Sequence, residues 1–344
     1  MSRLLLCLLA CFAVLVIGPA AVAQETAPVD VIVVSGPLDQ SMIRFVEEAV
    51  EEAATTGSQA AIVQLNSEGA LSDEIEGLID LFQQPPLPLA VWVGDAPAVA
   101  YGGAARLLIA APLKTAAPGS EIGNLTPTVA GSKGGSDIVA GVSSFAMFEE
   151  VVTVEGAIPG LVDVALPSIG QVVVWLNGQE VESQRGTSTL STAREETSAD
   201  GEVRLLPTAQ VRFQEPGLFT RLLRLSVRPE SAFFFLVMGL TVAAFEFYAI
   251  GPGLAAATGV ISLLIAGYGL AVLPLRWWAL VLIGLGLLVY TAEFQRRSFG
   301  VLSIIDTDAQ VAGGLYLTNP ATQITPTTRR VALTVTSRSG RRRG

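Results

Sequence analysis

The chain has 344 residues with no histidine and two cysteines, and its mean hydropathy of +0.54 is too high for an ordinary soluble protein. The missing histidine excludes Ser-His-Asp, Cys-His and His-ligated metal chemistry. Residues 24–215 carry 26 Asp and Glu against 8 Lys and Arg, whereas residues 294–344 carry 8 Arg against Asp306 and Asp308; so acidic a segment is a poor ligand for nucleic acid, whose phosphates need cationic contacts.

Residues 1–23 have the three parts of a secretory signal: Arg3, an apolar run from Leu4 to Ile17, and Ala21-Val22-Ala23 before Gln24. Cys7 and Cys11 both fall inside it, so the mature chain is expected to hold neither a disulfide nor a cysteine nucleophile. From Asp30 the pattern alternates between strand and helix. Val31 to Val34 is a β-branched run of the kind buried in parallel sheets. Asp39 stands where a helix to about Thr55 would begin, with Met42, Ile43, Phe45, Val46 and Val50 on its apolar face. Ala60 to Leu65 is a second strand and Ser72 to Phe82 a second helix. Leu89 to Val93 is a third strand, and Val99 to Ala111 reads as a small-residue helix. Three such units in series predict a parallel sheet with right-handed crossovers.

Residues 128–142, rich in Gly and Ser, read as a loop. A short helix is expected after Ser168, and residues 183–201 read as a solvated excursion. Val203 to Leu206 and Gln210 to Phe213 read as a terminal hairpin, closing an extracytoplasmic domain at residues 24–215. Residues 216–230 alternate leucines with Arg221, Arg224 and Arg228, the pattern of an amphipathic segment on a bilayer. A transmembrane bundle is expected over 231–298, with spans at 232–250, 254–273 and 277–294, each near the roughly 20 residues a crossing needs. Gly259, Gly267, Gly269, Gly284 and Gly286 permit close helix approach. Asp306 and Asp308 argue against a fourth span over 299–317, which leaves a basic cytoplasmic tail at 299–344. The expected location is a multi-pass protein of the cell membrane in contact with lipid. Glu246 and Glu293, near the inner ends of their spans, are either functional carboxylates or groups hydrogen-bonded locally at the headgroup level.

Several runs resemble the NfeD family, membrane-bound partners of stomatin-like proteins. They are Val33-Val34-Ser35-Gly36-Pro37-Leu38-Asp39, Ala117-Pro118-Gly119-Ser120-Glu121-Ile122-Gly123 and Gly160-Leu161-Val162-Asp163-Val164-Ala165 in the outer domain. Ile250-Gly251-Pro252-Gly253, Ala292-Glu293-Phe294 and Phe299-Gly300-Val301-Leu302 carry the likeness in the membrane part. The resemblance implies an α/β fold, a ClpP/crotonase-like crossover domain outside the membrane followed by an α-helical bundle. It also implies a homo-oligomer through that domain and a stomatin- or flotillin-like membrane partner, with no cofactor and no metal.

Long members of that family are serine proteases with a Ser–Lys dyad, and here the pattern departs from them. Tyr101 stands at the nucleophile position, within Val99-Ala100-Tyr101-Gly102-Gly103-Ala104, and a phenol is a poor acyl acceptor. The oxyanion turn reads Ser67-Glu68-Gly69, with a carboxylate where negative charge would develop. The only lysines are Lys114 and Lys133, and neither lies where the general base belongs. The expectation is a pseudoprotease acting as scaffold or partner-binding module. The competing reading is a membrane-associated serine protease with a rearranged site, Lys133 acting with Ser132, Ser136, Ser143 or Ser144. The cytoplasmic OB-like barrel that usually ends the family is not expected in residues 300–344, whose one strand-like run is Val331 to Val335.

Overall fold

The computed structural model describes residues 27–125, 128–129, 151–197, 203–249, 253–296, 308, 310–314 and 316–317. Residues 1–23, expected to be a signal segment, the serines and lysine at 132–144 and most of the tail lie outside them. Strands β1 (Val29–Ser35), β2 (Ala60–Asn66) and β3 (Leu89–Val93) form the centre of a sheet that β5 (Leu113–Ala116) and β8 (Val164–Ala165) extend on one side and β13 (Val211–Gln214) on the other. Every pairing in it is parallel. Its strands read as unbroken apolar runs because both faces are buried. Ile32, Val34, Ala61, Val63, Leu65, Val91 and Val93 enter one core, while Val29, Val31, Ala60, Ile62, Ala90 and Trp92 enter another.

Helices α1 (Gln40–Thr55), α2 (Ile75–Gln83) and α3 (Gly103–Ala110) cover the first core, and α4 (Ile169–Trp175) covers the second. The α1 face is the one its periodicity predicts, with Met42, Ile43, Val46, Ala49, Val50 and Ala53 buried. Three local expectations are corrected. Residues Val99–Tyr101 form strand β4 and not the first turn of a helix, because they pair in parallel with β6 (Glu121–Gly123), which pairs antiparallel with β7 (Val151–Thr153). The excursion at 183–201 is mostly strand: β9 (Glu180–Ser183) pairs with β10 (Gly186–Thr189), and β11 (Ala193–Thr197) with β12 (Val203–Pro207). That pairing takes β12 away from the expected hairpin, and β13 joins β1 instead. There Arg212 donates to the buried Asp30 carboxylate at 2.6 and 2.9 Å. The hydrogen bond to Asp30 also raises the Arg212 pKa above its ordinary value. A long-range ion pair thus decides a strand partner that local propensity assigned otherwise.

Beyond α5 (Leu218–Leu223) and a 3₁₀ turn at Arg224–Ser226 come three apolar helices, α6 (Pro229–Ala249), α7 (Leu254–Val272) and α8 (Trp277–Arg296). Two of them, α6 and α7, are long and apolar enough to cross a membrane, and α8 has a shorter apolar stretch at Trp277–Val289. A Cβ on Gly239 of α6 would lie 2.8 Å from Leu263, and one on Gly259 of α7 would lie 3.2 Å from the Gly239 carbonyl. These two glycines let α6 and α7 pack backbone to backbone. By contrast Gly267 and Gly284 face open space, so only part of the expected small-residue set is used.

Residues 310–314 are helical and lie beside the beginning of α8, not beyond its end. Arg276 N–H donates to the Leu317 carbonyl at 3.0 Å, and Leu317 packs with Ala279 and Ile283. Trp278 meets the Tyr316 ring at 5.7 Å between centroids. A helix of that length spans about 30 Å, so residues 310–317 occupy the end of the bundle that adjoins the α/β domain. A Tyr316→Cys label, with Cys7 and Cys11 changed to serine, is therefore expected to react with an impermeant maleimide from the same side as a Thr187→Cys label. Reaction from opposite sides would contradict it.

On α1, burial and then the neighbouring Glu74 push the Glu47 carboxyl above its usual range. The folded state binds that proton more tightly than the unfolded chain, so the contribution is stabilising at acid pH and is lost as pH rises through the raised value. Glu47→Gln is expected to raise the thermal unfolding midpoint at pH 7 and to lose that advantage below the ordinary carboxylate range.

Candidate functional site

The candidate site lies where β1 and β2 end, the side of a parallel sheet at which ligands ordinarily bind. The chain leaves β2 at Asn66 and turns through Ser67-Glu68-Gly69. Ser67 N–H donates to the Val99 carbonyl at 2.7 Å, and the Ser67 carbonyl accepts from Tyr101 N–H at 3.2 Å, which seats the turn against β4. Gly69 has φ +133, a backbone that only glycine adopts without strain. Its carbonyl accepts from Leu38 N–H at 2.8 Å, and its N–H points at the Ser67 hydroxyl at 3.3 Å. An oxyanion hole needs such an N–H unengaged and aimed at the reacting oxygen. Here Ser67, which is fully buried, occupies it.

Tyr101 ends β4 and is 3 % exposed. Its hydroxyl donates to Glu121 Oε2 at 2.5 Å. The Ala117-Pro118-Gly119-Ser120-Glu121 run makes that contact: Gly119, at φ +86, turns the chain out of β5, and Glu121 opens β6 alongside β4. The N-terminus of α3 follows Tyr101 directly. Gly102 N–H donates to the Asn124 carbonyl at 3.0 Å and Gly103 N–H to the Thr128 carbonyl at 2.9 Å. A Cβ at Gly103 would sit 2.8 Å from the Ala70 Cβ, so α3 begins hard against the turn that carries Gly69.

Lys114 sits inside β5 in register with Val91, which pairs with Val63 of β2. That is three residues short of Asn66, or about 10 Å back along the strands. Lys114 is therefore not brought to the turn. The other sequence candidates, Ser132, Lys133, Ser136, Ser143 and Ser144, lie outside the described residues, as does the side chain of Glu293. Glu246 accepts from Gly253 N–H at 2.7 Å, so it binds the turn between α6 and α7 locally.

Sequence reading missed the polar junction beside the site. Asp39 precedes α1 without capping it. Its carboxylate, fully buried, accepts from Arg224 Nε at 2.7 Å, from Ser41 Oγ at 2.6 Å and from the Tyr268 hydroxyl of α7. Arg224 Nη2 also donates to the carbonyls of Pro37 at 2.7 Å and Ser35 at 3.1 Å. Arg228, one residue before α6, pairs with Glu68 of the turn at 3.0 Å. The three arginines read as a bilayer-facing set are instead turned toward the domain, since Arg221 pairs with Glu215. A carboxylate followed by a distant Arg-x-x-Arg-x-x-x-Arg run was the only sequence signal available.

Residues 230–338 match the NfeD integral membrane domain. The resemblance read from the membrane motifs thus holds. The membrane-bound protease PH1510 of Pyrococcus horikoshii is 21% identical over 287 residues, which is 76% of this chain and 62% of that protein. This chain therefore spans under two thirds of that relative. Among solved structures, 1510-N, a membrane protease from Pyrococcus horikoshii specific for a stomatin homolog, is 18% identical over 58% of this chain and 97% of its own, with a TM-score of 0.41. A point variant of the same fragment is 19% identical over 56% and 99%, with a TM-score of 0.40.

Arg224→Ala would leave the Asp39 carboxylate buried without its cation, a change that costs about 3–5 kcal/mol. It is expected to lower the unfolding midpoint of the full chain, with Asp39→Asn/Arg224→Met recovering part of the loss. An unchanged midpoint would show the pair to be solvated.

Proposed function

We propose that this protein is a non-catalytic membrane scaffold of the NfeD type, in which a protease-like domain binds partners and a helical bundle holds it at the membrane. The observation that carries the reading is the engagement of the Tyr101 hydroxyl and of the Gly69 N–H. The Tyr101 hydroxyl stands at the nucleophile position and is held by Glu121 at 2.5 Å. The Gly69 N–H is taken by Ser67, and Lys114 is held within the sheet. A carboxylate at Glu68, paired to Arg228, adds negative charge beside the place where an oxyanion would form.

The domain is proposed to lie outside the cytoplasm, on the side to which the signal segment would deliver it, and to assemble with copies of itself. A stomatin-like membrane protein is the proposed partner class, the class for which the solved Pyrococcus horikoshii protease is specific. The second reading, a serine protease using Lys133 with Ser132, Ser136, Ser143 or Ser144, is favoured by the protease activity named for PH1510. A fluorophosphonate probe separates the two. The purified full chain is expected to remain unlabelled under conditions that label an active Ser–Lys protease, and Lys133→Ala is expected to change nothing. Labelling abolished by Lys133→Ala would establish the second reading.

A further inference from the structure

The segment between the domain and the bundle presents a bare apolar face. Leu218 is 84% exposed, Phe219 73%, Leu222 42% and Leu225 52%. Leu218, Leu222 and Leu225 follow the i, i+4, i+7 spacing that lines one side of a helix. On the other side Arg224 is buried on Asp39, while Arg221, half exposed beside the leucines, donates to the Pro216 carbonyl at 2.7 Å and pairs with Glu215. The Arg224 contact gives the segment a fixed rotation, with that cation inward and the leucines outward.

Its level is fixed as well. The Ser226 hydroxyl donates to the Ile265 carbonyl of α7, and a Cβ at Gly269 would overlap the Ser226 backbone. The turn thus packs against α7 within the length of that helix, which ends at Val272, and Pro229 begins α6 three residues after Ser226. The 3₁₀ turn that ends the segment therefore sits at the level of the last two turns of α7, beside which Leu264 is 64% exposed. Trp277 and Trp278, 78% and 51% exposed at the start of α8, mark the same end of the bundle with the residues that favour a membrane–water interface.

We infer that residues 218–225 lie in the plane of the bilayer with Leu218, Phe219, Leu222 and Leu225 inserted among the acyl chains, so that the α/β domain rests directly on the membrane surface. Each arginine of the segment is paired with a carboxylate, Arg221 with Glu215 and Arg224 with Asp39. Insertion should therefore be indifferent to anionic lipid, unlike that of an ordinary basic amphipathic helix.

The inference rests on α7 crossing the membrane, and the test separates the two claims. In the full chain with Cys7 and Cys11 changed to serine, an environment-sensitive fluorophore is placed on Leu218→Cys, Leu222→Cys, Leu264→Cys of α7 or Thr187→Cys of β10. The protein is reconstituted in phosphatidylcholine vesicles containing a spin-labelled lipid quencher. The labels at 218 and 222 are expected to be quenched within about twofold of the label at 264, with the label at 187 unquenched, and added phosphatidylglycerol should leave this unchanged. Quenching at 264 without quenching at 218 and 222 would overturn the inference alone. Loss of quenching at 264 would overturn the membrane reading and the inference with it. Disulfide formation between the Leu218→Cys sites of two chains, without lipid quenching, would assign the face to a second copy.

Discussion

A single buried carboxylate ties the two halves of this molecule together. Asp39 has no exposed surface, and a charge in that position is tolerated only when it is paired and fully hydrogen-bonded. Its partners come from three places: Ser41 from its own helix, Arg224 from the juxtamembrane turn and Tyr268 from α7. Separating the domain from the bundle would strand that charge in an apolar site. The link between Gly217 and Pro229 is therefore a structural joint and not a flexible tether, and the domain's orientation against the helices follows from it.

The joint sits at the carboxyl ends of β1 and β2, beside the turn that holds Gly69. The region in which an open α/β sheet would ordinarily receive a ligand is thereby partly committed to holding the membrane domain. Glu68 pairs with Arg228 next to α6, so a residue of the turn and the first membrane helix are linked by one side-chain contact. The half-exposed Glu68–Arg228 pair contributes little to stability by itself; the deeper Asp39 cluster carries the attachment. Polar groups around Tyr101 follow the same logic of satisfaction. Glu121, Ser67 and the carbonyls of Asn124 and Thr128 accept hydrogen bonds from the Tyr101 hydroxyl and from the N–H groups of Gly69, Gly102 and Gly103.

Much of the architecture was legible from residue patterns. The central strands were read from β-branched runs, which are continuous because side chains on both faces are buried, and α1 from its 3.6-residue period. The membrane helices were read from their length and hydropathy, and their bounds differ from expectation by three residues or fewer. The misses share a cause. Val99–Tyr101 has small residues compatible with helix, yet strand β6, twenty residues on, claims it. Residues 180–197 are polar enough for a solvated loop, yet they pair as ribbons. Each depends on a partner distant in sequence, which no local window contains.

The sequence by itself determined the central strands, which helices are apolar enough for a bilayer, and that no histidine is available for chemistry. It also determined that residue 101, just before α3, is a tyrosine. Only the tertiary structure decided what that tyrosine bonds to, that Ser67 occupies the Gly69 N–H, and that the juxtamembrane arginines face inward onto Asp39, Glu215 and Glu68. Residue type sets what a side chain can do, whereas its hydrogen-bond partner is chosen by chain segments up to 229 residues away. Buried polar groups must be satisfied wherever the fold brings them together.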